Sequence, residues 1–142
     1  METNPIIFFT DGAYSGARKK GGWAVYCPNY RLRICSGEYN TTNNRMEMMA
    51  VLKALEWISD SSIPERDIII VSDSLYVINT MKGLYAKKTN IDLWTKLDQM
   101  VELLFDKRIK WVHTKGHTDS SSFEAEGNNI VDQLAVMATL IK

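Results

Sequence analysis

Cysteine is scarce. Only Cys27 and Cys35 occur in 142 residues, too few for a disulfide framework. They read as two free thiols on neighbouring strands, suited to a reducing compartment. Histidine is equally scarce, with His113 and His117 alone. The two cysteines and two histidines show no ligand spacing, which argues against zinc. Charge of one sign is missing too. Seventeen basic and seventeen acidic residues give a formal net charge of zero. That excludes a uniformly basic nucleic-acid glove and leaves only local patches. No apolar run approaches the ~20 residues of a bilayer span, so no membrane contact is expected. The start, METNPIIFFTDG, has neither a basic n-region nor a small-residue cleavage site, which predicts a non-secreted, cytoplasmic protein. Repeats, low-complexity tracts and long linkers are absent. What is present is ordinary for a globular chain: 45% hydrophobic and 24% charged residues, enough for one domain over 1–142.

Ile6 to Thr10 is a short β-forming run ended by Asp11-Gly12. Gly21-Gly22 opens a second run, Trp23 to Cys27, which Pro28-Asn29 breaks. Arg31 to Ser36 alternates. These three predict an antiparallel meander. The period then changes. Asn44, with Glu47 as its capping-box partner, predicts a helix start, and Met46, Met49, Ala50, Lys53 and Trp57 carry it to about Ser59. Ile68–Val71 reads as a strand buried on both faces. Asp73-Ser74 caps a helix to about Met81, and Asn90 caps another with Leu93, Leu97, Val101 and Leu104 in a stripe. Ile109–Thr114 reads as a last strand and Asn128–Ile141 as a closing helix with Ile130, Leu134 and Met137 on one face. Hairpin-linked early strands and helix-linked later ones predict an α/β fold with one mixed sheet flanked by helices. The strand ending near Asp73 should run parallel to the first.

Asp11 and Asp73 therefore end two apolar strands. If those strands are neighbours, the carboxylates meet at the carboxyl edge of the sheet, where open α/β sheets bind ligands. Two such groups repel unless a cation lies between them, and hard oxygen ligands suit Mg²⁺ or Mn²⁺. Each residue also has a plain reading. Asp11-Gly12 serves as a turn, Asp73-Ser74 as a helix cap, Glu47 as a capping-box or solvated charge, and Asp132 as a first-turn acid. Spacing alone leaves these open.

The motifs go further. Thr10-Asp11-Gly12-Ala13, Gly21 to Val25, the block Thr41-Thr42-Asn43-Asn44-Arg45-Met46-Glu47, Val71 to Val77, Asn90 to Trp94, Lys115-Gly116-His117 and Gly127 to Ala135 occur in order. This ordered set resembles type I ribonuclease H from residue 7 to about 138. The resemblance implies the ribonuclease H-like fold: a five-stranded mixed sheet, three antiparallel strands then two parallel. It implies Asp11, Glu47, Asp73 and Asp132 as metal ligands for two Mg²⁺ ions, with Mn²⁺ as a substitute. It implies His117 as a catalytic histidine that manages a proton near the leaving group or aids product release. Gly12, Thr42, Asn43 and Asn44 are implied substrate contacts. The implied reaction is endonucleolytic hydrolysis of the RNA strand of an RNA–DNA hybrid, leaving 5′-phosphate and 3′-hydroxyl ends. His113 is expected to be structural.

Three departures from that pattern matter. Leu75 stands where many members carry glutamine. The basic helical handle of many cellular members is replaced by Lys82 to Thr89, which leaves Lys82, Lys87, Lys88 and Tyr85. The stretch from His117 to Asp132 is long, as in some retroviral ribonuclease H domains, and its serines at 120–122 suggest mobility. Arg18-Lys19-Lys20 offers either a compensating phosphate contact or a solvated turn. A monomer is expected. A handle-less chain also admits a second reading: a hybrid-binding module dependent on a polymerase or other protein partner for activity.

Overall fold

The computed structural model describes residues 4–114 and 122–141. Strands β1 (Ile6–Ser15), β2 (Lys20–Cys27) and β3 (Leu32–Tyr39) form the expected antiparallel meander. A 3₁₀ turn, Pro28–Tyr30, joins the second to the third. Helix α1 (Asn43–Ser61) leads to β4 (Asp67–Ser72), which pairs parallel with β1. Helices α2 (Leu75–Met81) and α3 (Ile91–Leu103) lead to β5 (Arg108–His113), parallel to β4. Helix α4 (Phe123–Ala138) follows. The sheet order is β3-β2-β1-β4-β5, antiparallel and then parallel, as the sequence pattern predicts.

Strand alternation divides the core between the two faces of the sheet. Ile6, Phe8, Val25, Ile68 and Ile70 join Met46, Leu55 and Ile58 of α1 and Leu93, Trp94 and Leu97 of α3. Phe9, Ala24 and Val71 join Val131 and Ala135 of α4 on the other face. The two cysteines share this division. Cys27 lies in the first cluster and Cys35 packs against the second, and both are free thiols.

Several boundaries differ from expectation, for local reasons. Asp11-Gly12 is no turn. β1 loses its parallel partner after Phe9↔Val71 but continues antiparallel to β2 from Asp11↔Ala24 to Ser15↔Lys20. Thr42, not Asn44, caps α1, accepting from the Arg45 N–H at 3.1 Å, so Glu47 is not a capping-box residue. Helix α4 begins at Phe123, where the Ser122 hydroxyl accepts from Ala125 N–H at 3.1 Å. Asp132 consequently lies well inside α4 rather than in its first turn. The buried face of α4 is Gly127, Val131, Ala135 and Ala138, while Met137 is exposed.

Small residues face the sheet there because α4 sits very close to it. A Cβ at Gly22 would fall 2.3 Å from the Ala135 carbonyl oxygen, and one at Gly37 would fall 2.5 Å from that of Ala138. One at Gly127 would meet the Phe9 ring at 2.4 Å. Gly22→Ala should therefore push α4 off the sheet and cost about 2 kcal/mol, in the range of overpacked cores. Gly16 has open space around it, so Gly16→Ala should stay within about 0.5 kcal/mol of the parent. Urea unfolding of the two variants checks the contrast.

Candidate active site

The register of the parallel pair organises the site. Phe9 lies level with Val71, so Asp11 comes level with Asp73, the first residue beyond β4. The Thr10 hydroxyl ties the strands at this edge, donating to the Val71 carbonyl at 2.9 Å. Glu47 arrives from α1 because Gly12 has no side chain. A Cβ at Gly12 would lie 2.3 Å from the Glu47 backbone nitrogen. The Gly12 N–H then donates to Asp11 Oδ1 at 2.9 Å and to Glu47 Oε1 at 2.5 Å. Carboxylate oxygens of Asp11, Glu47 and Asp73 all lie within 4.8 Å of one another. Asp132 approaches from α4, near enough to influence the Asp11 carboxyl.

The electrostatics match the crowding. Burial first, then the Asp73 carboxylate, pushes the Asp11 carboxyl up to about 8, and Asp132 adds to the rise. Burial, with Asp11 and Asp73 close by, also holds the Glu47 carboxyl well above its ordinary value. Asp73 Oδ1 is buried with no hydrogen-bond partner. A buried, unpaired carboxylate oxygen is costly in isolation. Beside two more carboxylates it is the donor set of a hard divalent cation, so these residues fit such an ion.

Beside this group, Thr42, Asn43 and Asn44 lie exposed at the N-terminus of α1. Asn43 and Asn44 precede Glu47 by four and three residues and share its side of the helix. Arg45 and Asp92 belong to separate sequence motifs, and nothing in their spacing pairs them. They form a bidentate ion pair at 2.9 and 2.7 Å, and Arg45 also donates to Asn90 Oδ1 at 3.2 Å. This fastens the start of α1 to the start of α3, and it holds the Asp92 carboxyl down at about 2. Asn90 precedes α3 in a left-handed conformation, φ 56°, and its side chain binds Arg45 and Tyr76 instead of capping the helix. Leu75, half exposed, opens α2. The Lys115-Gly116-His117 motif, and with it His117 and the serines at 120 and 121, lies outside the described residues. Lys20 is not a solvated turn residue: it is 5% exposed, with Nζ 5.1 Å from the Tyr39 ring centre.

The ribonuclease H family model matches residues 3–139. The chain belongs to the ribonuclease H family. Relatives named ribonuclease H include one from Chlorobaculum parvum, 35% identical over 94% of each chain. Another, from Prosthecochloris aestuarii, is 36% identical, also over 94% of each chain. Two solved structures share the fold. One, LC11-RNase H1 in complex with RNA/DNA hybrid, has TM-score 0.73 and 22% identity over 94% of this chain and 96% of that one. The other, prototype foamy virus protease-reverse transcriptase, has TM-score 0.76 and 22% identity, and covers 100% of this chain but 22% of that one. This protein is thus a ribonuclease H enzyme, and its acid group lies in the fold those relatives share.

The raised Asp11 carboxyl carries a sign for stability. Its folded value, about 8, exceeds the ordinary 3.8. Its contribution is therefore fully present below about pH 4 and is lost as pH rises through 8. Asp73→Asn removes the neighbouring charge that helps raise it. In chelator, this variant of the ribonuclease H should gain stability over the parent at pH 8, by about 1 kcal/mol. The gain should shrink towards pH 5, where a proton on Asp11 already relieves the repulsion. Urea unfolding at the two pH values measures it; a gain that is larger at pH 5 contradicts the reading.

Proposed function

We propose that this ribonuclease H is a divalent-metal-dependent endonuclease that hydrolyses the RNA strand of RNA–DNA hybrids to 5′-phosphate and 3′-hydroxyl ends. The observation that carries the proposal is the carboxylate group of Asp11, Glu47 and Asp73, with its unpaired, buried Asp73 oxygen. Asp11, Glu47, Asp73 and Asp132 would hold two Mg²⁺ ions, with Mn²⁺ as a substitute. When bound, such ions supply an activated water and charge stabilisation for the departing 3′ oxygen.

The protein's own groups do the rest. The Thr42 hydroxyl accepts from the Arg45 N–H, so its own proton remains free to donate to a phosphate oxygen. The positive end of the α1 dipole lies at the same place and favours an anion. Asn43 and Asn44 are exposed there and free of the capping duty that sequence alone offered Asn44. They carry both donors and acceptors, which suits base edges and a 2′-hydroxyl in a minor groove. The Gly12 N–H orients two of the acids, and its missing Cβ lets the α1 backbone bring Glu47 to them. His117 is the proposed group for proton handling or product release. Leu75 offers no hydrogen bond at its exposed position, so less dependence on sequence context is expected there.

The LC11-RNase H1 neighbour, solved with RNA/DNA hybrid, supports the substrate class. Among the described residues no helix is long and apolar enough to cross a membrane. A single ribonuclease H domain acting as a cytoplasmic monomer is the proposed setting. The partner-dependent module draws support from one observation. Lys87 of the short connection is already paired with Asp98 at 2.9 Å, which leaves less free positive charge where a handle would stand.

The deciding assay uses end-labelled RNA paired with DNA, paired with RNA, and alone, each with Mg²⁺ and with chelator. Cutting of the hybrid alone, only with metal, is expected. Asp73→Asn should abolish it while remaining folded. Hybrid binding without cutting would select the partner-dependent module instead. His117→Ala should slow turnover by about a hundredfold or less without abolishing it; an unchanged rate would remove His117 from the mechanism.

A further inference from the structure

Asp73 is held differently from its neighbours. Asp11 and Glu47 both accept from the Gly12 N–H, whereas Asp73 Oδ1 has no hydrogen-bond partner. The aim of that oxygen therefore depends on the backbone that carries it. That backbone has already left the sheet, since β4 ends at Ser72 and α2 begins at Leu75. Three contacts hold the start of the passage, and the Ser74 cap on Val77 holds its end. Thr114 N–H donates to the Ser72 carbonyl at 3.0 Å, and Ser74 N–H donates to Ser72 Oγ at 3.0 Å. His113 Nε2 donates to the Asp73 carbonyl oxygen at 3.2 Å. Only the third reaches Asp73 itself. A carbonyl carries no proton, so Nε2 must carry it. The neutral ring protonated at Nε2 and the imidazolium both satisfy this, so the contact needs no change of charge. Register brings the ring there, because His113 lies level with Ser72 in the parallel β4–β5 pair.

We propose that His113 is a positioning residue for the metal site, fixing the backbone from which Asp73 presents its carboxylate. The inference rests on the metal-site reading above and deepens it. Sequence alone makes His113 a structural strand residue without a ligand role. The geometry keeps it out of the ligand set, because its Nε2 is engaged with a backbone carbonyl. It acts instead through Asp73. Outer partners of this kind preserve affinity by ordering a ligand before the ion arrives. The effect is concentrated at Asp73 because the other two acids have a donor of their own in Gly12.

The test is Mn²⁺ binding by calorimetry to the full chain, comparing the parent with His113→Phe and His113→Gln. Phenylalanine keeps an aromatic ring and removes the donor; glutamine returns an N–H near the same place. His113→Phe should raise the Mn²⁺ Kd about tenfold. Its KM for hybrid should hold, and its kcat should recover at saturating Mn²⁺. His113→Gln should restore most of the lost affinity. Parent-like Mn²⁺ affinity in His113→Phe would overturn the inference. So would equal losses in both variants accompanied by equal falls in Tm, which would mark a packing role alone. A parent protein that binds no Mn²⁺ would overturn the metal-site reading itself, and this inference with it.

Discussion

Carboxylates packed side by side out of water repel one another, and the centre of this fold is arranged to hold three of them together regardless. No local segment could do so. Asp11 comes from β1, Glu47 from α1, and Asp73 from the passage between β4 and α2. What opposes their repulsion is burial on both sides of the sheet. Phe8, Ile68 and Ile70 pack under α1 and α3, while Phe9 and Val71 pack under α4. A fully buried side chain of this size contributes about 1.5–3 kcal/mol. Several such side chains on each face are enough to hold an acid group that is unfavourable without a counter-ion.

Close approach of backbones does the positioning. Where Gly12 meets α1 and where Gly22 and Gly37 meet α4, a Cβ would run into backbone atoms. Glu47 and Asp132 lie on those two helices. The glycines thus set how far the second and fourth acids stand from the first. A side chain at any of them would act on the site through a helix displacement rather than through lost chemistry. The Arg45–Asp92 pair adds a lateral constraint. It is partly exposed and contributes little to stability, yet its bidentate geometry holds the start of α1 in one place relative to α3.

Much of this was legible in the residues. Strand and helix order follow from the change of hydrophobic period, and the parallel pairing follows from the helical crossovers. The ordered motifs named Asp11, Glu47 and Asp73, the three acids that the fold groups. What failed was local. A turn dipeptide at Asp11-Gly12 was overridden because β1 has a second partner, β2, to run against after β4 ends. The Asn44–Glu47 capping pattern lost to Thr42 because Thr42 sits at the one position whose hydroxyl meets the Arg45 N–H. The face of α4 was misjudged because large apolar residues usually mark the core side. Here the helix lies so close to glycines of β2 and β3 that Ala135 and Ala138 face them. Pairings between distant side chains, such as Arg45 with Asp92 or His113 with the Asp73 backbone, have no periodic signature. Only the fold brings them together.

The charge balance finally constrains how a hybrid could be held. The chain has no net charge. Several of its cations are engaged internally: Arg45 with Asp92, Lys87 with Asp98, and Lys20 over the Tyr39 ring. Arg18, Lys19, Arg31, Lys82, Lys88, Lys96 and Lys110 are exposed. Against a polyanion this is a modest attraction, and salt would weaken it steeply. The acid group would oppose it, because negative carboxylates would face phosphates. Burial and mutual repulsion reduce that opposition by raising the Asp11 carboxyl to about 8 and the Glu47 carboxyl well above its ordinary value. Divalent cations would reverse it, turning the most repulsive point of the surface into an attractive one. Metal loading and hybrid docking would then be coupled steps. A chain of zero net charge would depend on that coupling more than a strongly basic one would.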